Sequence, residues 1–241
     1  MNKKPLVSLA NLVEYATTPS AARRRQIIEQ YHHPEVIRFD WHGASDTIFA
    51  ERARGSTEAD NLIDLEKRRL NDQKTGNPER DRRCSHILHL VELLETSDVL
   101  RLTEGTDPST ANNLAIDSIV GSLTVRVRPN LVLSRQRLGW AAPEMGILKC
   151  HNLSTFKLSG YAGPLYAVGL QIYAENIVPS EVIAPNLCRV YDLFHDKVYM
   201  APKNQKRLRV QLVDAAQEIL DRWDAVGKRL TETMTRKRKA G

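Results

Sequence analysis

Aromatic residues make up only 6% of this 241-residue chain, and there are just three cysteines. Cys84, Cys150 and Cys188 lie far apart with no CxxC pair, so a disulfide-built scaffold is excluded and reduced, buried thiols are expected. No window approaches the roughly 20 apolar residues that a membrane-spanning helix needs. Ser8, Asn11 and Glu14 interrupt the apolar residues at the start, so neither a secretory signal nor a transit sequence is expected; the expected location is the cytoplasm, with no membrane partner. The chain also lacks GxxxxGK[ST], GxGxxG and GxSxG, which removes local support for nucleotide-cofactor binding and for a serine hydrolase.

What remains is globular. Hydrophobic residues are 41% of the chain and charged residues 27%, which excludes disordered and collagen-like classes and leaves enough apolar material for a core. Thirty-five Lys and Arg against 29 Asp and Glu give a net charge of +6. The positive residues gather at Arg23–Arg25, Lys67–Arg69, Arg80 with Arg82 and Arg83, Lys203–Arg209 and Arg236–Lys239. Such groups neutralise phosphates and make binding salt-dependent, although acids interspersed among them also fit solvated helix faces. No aromatic stretch accompanies them, so a base-stacking platform is not expected.

The two halves of the chain have different periods. Up to about residue 115 helices dominate: Ser8 caps one carrying Leu9, Leu12 and Val13, and Ser20 caps another. A third is expected from about Glu35 to Ala53. Thr57 and Asp60 have capping-box spacing ahead of Leu62 and Leu65, and Ile87, Leu90, Val91 and Leu94 form one helical stripe. Later, Leu123–Arg128 alternates apolar and polar residues as a half-buried strand does, Leu131–Leu133 resumes after Pro129-Asn130, and Met145–Cys150 is a more central strand. A helix is expected over 160–176, with its glycines marking close packing. A hairpin follows that turns at His195-Asp196, then a long helix through Leu208, Leu212, Ile219 and Trp223. Residues 231–241 are expected to form a basic flexible tail. The class expected is α/β (α+β), with a helical N-terminal region over 1–83 and a mixed-sheet core over 84–230.

The order helix, three strands, helix, strand, with Val127-Arg128-Pro129-Asn130 and Gly146-Ile147-Leu148-Lys149, resembles the restriction-endonuclease-like superfamily of nucleases named for a PD-(D/E)XK motif. The whole chain also resembles uncharacterised bacterial proteins that accompany mobile elements and defence genes. The resemblance implies two acids that hold Mg²⁺ or Mn²⁺ and a lysine that orients the attacking water. Here Asn130 stands at the first acid and Ile147 at the second, and Lys149 alone matches. Glu144, Asp117, Glu92 and Glu95 are the acids that migration could recruit. The implied protein is a degenerate nuclease fold that binds DNA or a DNA-processing partner without cleavage and without a cofactor, its phosphate contacts being Arg126, Arg128 and Lys149. A scaffold subunit whose N-terminal half docks a protein partner is the alternative, and it requires an exposed apolar patch within residues 1–80. An active metal-dependent nuclease with migrated acids ranks behind both. A zinc site from Cys84, His86 and His89 would need a fourth ligand brought by folding, Cys150 or His151.

Overall fold

The structure is a computed structural model that describes residues 4–32, 43–140, 142–179 and 181–240, with the backbone alone for 234–240. The chain opens with a short strand, β1 (Leu6–Ser8), that runs directly into helix α1 (Leu9–Thr17). Ser8 keeps an extended backbone, ψ 154°, so its Oγ reaches the Asn11 N–H at 3.3 Å and satisfies one of the donors left over at a helix start. Helix α2 (Ala21–His32) follows, where Ser20 Oγ accepts from the Arg23 N–H at 3.2 Å.

Helices α3 (Gly43–Ala53), α4 (Glu58–Asp72) and α5 (Pro78–Thr96) complete the first half. The expected start of a helix at Glu35 lies outside the described residues. Thr57 does not cap α4 as its spacing predicts. Its backbone is already helical (φ −69°, ψ −12°), which turns the side chain away from the free N–H groups, and Ser56 Oγ accepts from Glu58 instead.

The second half carries strands β2 (Asp107–Thr110), β3 (Asp117–Val120), β4 (Leu123–Arg126), β5 (Leu131–Arg135) and β6 (Glu144–His151). After helix α6 (Ala162–Ile177) come β7 (Val182–Ile183), β8 (Arg189–Asp192), β9 (Lys197–Met200) and the long helix α7 (Lys206–Ala240). The helical backbone of α7 thus continues through the segment expected as a tail. β8 and β9 form the expected antiparallel hairpin, and Asp196 takes the left-handed conformation, φ 47°, at its turn.

The described residues form two sheets, and the protein belongs to the α+β class. The larger has the order β2-β5-β6-β8-β9, with β7 also beside β6. β5 runs antiparallel to both of its neighbours, β2 and β6, whereas β8 returns through α6 to lie parallel to β6. The smaller sheet has the order β1-β4-β3, with β1 parallel to β4. Strand alternation divides the core of the larger sheet. Val132, Ile147 and Val190 face α1, α6 and α7, while Leu131, Leu133, Leu148, Cys150 and Tyr191 face α3 and α5. Strands buried on both faces read as continuous apolar runs, as Leu131–Leu133 does.

The boundary expected near residue 83 falls inside α5, and the N-terminal stretch adds both a strand and core residues to the later half. Gly169 shows how closely they pack, since a Cβ there would lie 2.5 Å from Leu9. Among the described residues no helix is long and apolar enough to cross a membrane. The three cysteines are buried and unpaired.

Candidate nucleic-acid interface

A cleft of about 470 Å³ opens where the C-terminal end of β6 meets the small sheet. Lys149 to Asn152 come from β6 and the residues just after it, and Arg126 and Arg128 from β4 and its exit. Leu9 and Ala10 bring the first turn of α1 to the same wall, with Tyr31, Tyr166 and Asp46 from α2, α6 and α3. The three cations named from the sequence therefore share one concavity.

Register sets the centre of this site. Leu131 pairs with Leu148, so Asn130, one residue before β5, stands beside Lys149. The Asn130 N–H donates to the Leu148 carbonyl at 3.0 Å, its Oδ1 accepts the Cys150 N–H at 2.8 Å, and its Nδ2 donates to the Asp46 carbonyl at 3.3 Å. This buried amide fastens three segments together. Asp46 lies in the first turn of α3, where a negative charge suits the positive end of the helix. Its carboxylate takes the Lys149 ammonium at 3.0 and 3.2 Å, and Asn152 Nδ2 donates to it at 3.4 Å.

The surroundings are largely apolar. His151 is buried and donates from Nε2 to the Phe156 carbonyl at 2.6 Å. Burial holds its pKa below the ordinary imidazole value, so it is neutral at pH 7. The Tyr31 hydroxyl accepts from the Ser8 N–H at 2.8 Å and from Asn11 Nδ2 at 2.6 Å, which ties α2 to the rim. Arg126 pairs with Asp117 at 3.0 Å across the antiparallel β3–β4 register.

The acids expected from the sequence are engaged elsewhere. Glu144 meets Arg135 at 2.6 Å and Arg137 at 2.9 Å, and the Arg135 hydrogen bond leads in holding its carboxyl below the usual range. It stands five residues from Lys149 on one strand, about 16 Å away at the strand rise. Glu95 pairs with Lys67 at 2.6 Å, and Glu92 lies 3.9 Å from His89. Asp117 touches Arg126 from outside the cleft lining. Ile147 is 2% exposed and belongs to the apolar core.

Among the described residues the carboxylate that lines the cleft is Asp46. Sequence reasoning misses it, because it lies 103 residues from Lys149. The Gly43-Ala44-Ser45-Asp46 stretch signals a helix start and nothing more.

This donor set does not fit the divalent ion that a nuclease of the resembled family would hold. One acid position is apolar, the other is an amide whose oxygen is committed to the Cys150 N–H, and the one nearby carboxylate among the described residues is committed to Lys149. Among the described residues no cluster of three or more His, Cys, Asp and Glu side chains is placed to bind a metal. The Cys84, His86 and His89 group separates in the same way: Cys84 is buried in the core, while both histidine rings lie 6.2 Å from the ring of Phe194. Comparison of the chain with protein-family models, curated proteins and solved structures finds no match.

Proposed function

We propose that this chain is a degenerate member of the restriction-endonuclease-like superfamily that binds DNA backbone, alone or beside a DNA-processing partner, without cutting it. The observation that carries this reading is the convergence of Arg126, Arg128 and Lys149 on one cleft, where a single lining carboxylate stands among the described residues. Cations on a concave surface attract phosphate and release counterions when it binds. The strand expected first, β4, lies in the smaller sheet, but α5 followed by β2, β5 and β6 of the larger sheet, with the return through α6 to β8 parallel to β6, and Asn130 just before β5 beside Lys149 of β6, supports the superfamily assignment. The apolar Ile147 and the committed Asn130 oxygen support loss of cleavage. The scaffold alternative has less in its favour, since Leu65 is the single large apolar side chain strongly exposed among the described residues of 1–80.

The test is DNA affinity as a function of salt for the wild type and for the Arg126→Glu/Arg128→Glu variant. The wild type binds with log K falling steeply with log salt, and the variant loses at least about two phosphate contacts, flattening the slope by about 1.8. Equal affinities and equal slopes would remove these arginines from the interface.

A further inference from the structure

Three uncharged polar side chains of the cleft are left with hydrogen-bonding capacity to spare. His151, Asn152 and Tyr166 all line it, and they are 2%, 7% and 5% exposed. His151 donates from Nε2 to the Phe156 carbonyl at 2.6 Å, which fixes the ring proton there. Burial keeps that ring neutral, so Nδ1 is an acceptor. Asn152 turns Nδ2 towards Ser45 Oγ and the Asp46 carboxylate, at 3.5 and 3.4 Å, which makes Oδ1 a second acceptor. Burial pushes the pKa of Tyr166 well up, so its hydroxyl keeps its proton and donates. Among the described residues none of these three atoms has a hydrogen-bond partner, and none is sealed from solvent. Buried polar groups are nearly always paired, so three open ones in one cleft call for something that enters it. The His151 and Tyr166 rings stand edge to face with centroids 5.9 Å apart, so one small ring system can reach both. Two acceptors and a donor are complementary to the pairing edge of cytosine or adenine, where an amino group gives two N–H bonds and the adjacent ring nitrogen accepts one. Thymine offers one N–H between two carbonyls and leaves an acceptor unmet, and a phosphodiester, which only accepts, leaves both unmet. The cleft's volume of about 470 Å³ suits a small ligand rather than a duplex, and Leu9, Val127 and Leu153 give its walls an apolar surface for the faces of a base.

We infer that the cleft receives one unstacked, amino-bearing base of a bound strand. Its amino group donates to His151 Nδ1 and Asn152 Oδ1, and its ring nitrogen accepts from the Tyr166 hydroxyl. A single strand gives up a base at the least cost and is the expected form of the ligand. This inference rests on the proposed DNA-binding function and names what the same cleft reads.

The experiment measures binding of the full chain to short homopolymers of deoxycytidine and of thymidine, equal in length and therefore in phosphate charge, with free deoxycytidine as competitor. The deoxycytidine strand is expected to bind about fivefold tighter, the effect of one hydrogen bond gained. Tyr166→Phe removes a hydroxyl that bonds nothing in the folded chain, so its melting temperature does not fall, while its affinity for the deoxycytidine strand drops about fivefold and its preference over thymidine narrows. Equal binding of the two homopolymers by the wild type would overturn the base assignment while DNA binding stands. A preference for deoxycytidine that Tyr166→Phe leaves unchanged would overturn the placement of the base in this cleft. Competition by free deoxycytidine equal, per base, to that of the strand would assign the cleft to a nucleoside and overturn the strand reading. Absence of binding by either strand at low salt would overturn both this inference and the proposed function.

Discussion

Replacing Asp46 by asparagine removes the negative charge that pairs with Lys149 while keeping the size of the side chain, and the account predicts opposite effects on stability and on binding. The ion pair is 3.0 Å long, with 13% of the lysine side chain exposed and 27% of the aspartate. A fully exposed pair contributes about 0–1 kcal/mol, and breaking a fully buried one costs about 3–5 kcal/mol. This pair lies between those limits, and a loss of about 2 kcal/mol is expected. In a chain of this length that lowers the melting temperature by about 4–8 °C. A phosphate that approaches Lys149 then no longer meets the carboxylate. A charge pair about 4 Å apart in a water-like medium is worth about 1 kcal/mol, so affinity rises about fivefold. Lys149, released from its partner, also engages phosphate more fully, which steepens the salt slope by up to about 0.9. Thermal melting and fluorescence anisotropy with labelled DNA at several salt concentrations read both quantities. A variant that binds more weakly than wild type, or with an unchanged slope, would refute the view that Asp46 competes with phosphate for the lysine.

Other perturbations have equally definite signs. Asn130→Ala leaves the buried Cys150 N–H and the Asp46 carbonyl without their partner, a cost of about 1–3 kcal/mol. Asn130→Asp, which keeps the acceptor, retains more of the stability, and equal melting of Asn130→Ala and wild type would deny the amide this role. Buried His151 has its pKa lowered by desolvation, so the unfolded chain binds a proton there more readily than the folded one. Its contribution to stability is therefore complete above about pH 6.5 and is lost as the pH falls towards the folded pKa. His151→Gln should show a shallower fall in melting temperature between pH 7 and 5, and a slope identical to wild type would contradict this. His86, also lowered by burial, leaves a residual slope in that variant.

Much of the architecture is legible in the sequence where a period is long enough to read. The alternation from Leu123 and the apolar runs at Leu131 and Met145 become β4, β5 and β6, and the His195-Asp196 turn joins β8 to β9. Arg126, Arg128 and Lys149 do meet at one cleft. What is not legible comes from pairing over long separations. β1 has three residues, too few for a period, and its parallel match with β4 joins Leu6 to Thr124. Asp46 reaches Lys149 because α3, packed through Ile48 and Phe49 against Leu148 and Cys150, begins beside Asn130 just before β5, where its first turn meets the lysine. The expected acids fail for a local reason, since Glu144 and Asp117 each stand directly opposite an arginine on the neighbouring strand. Cross-strand partners of opposite charge pair with each other before they turn to a site.

The most direct test of the central claim measures binding and cleavage together, with wild type and Lys149→Ala incubated with plasmid, linear and single-stranded DNA in Mg²⁺ or Mn²⁺. The account predicts that the wild type retains DNA in a salt-sensitive complex that Lys149→Ala weakens, and that every strand stays intact. Cleavage by the wild type that disappears in Lys149→Ala would contradict it, and would make the chain an enzyme whose acids have been relocated rather than lost.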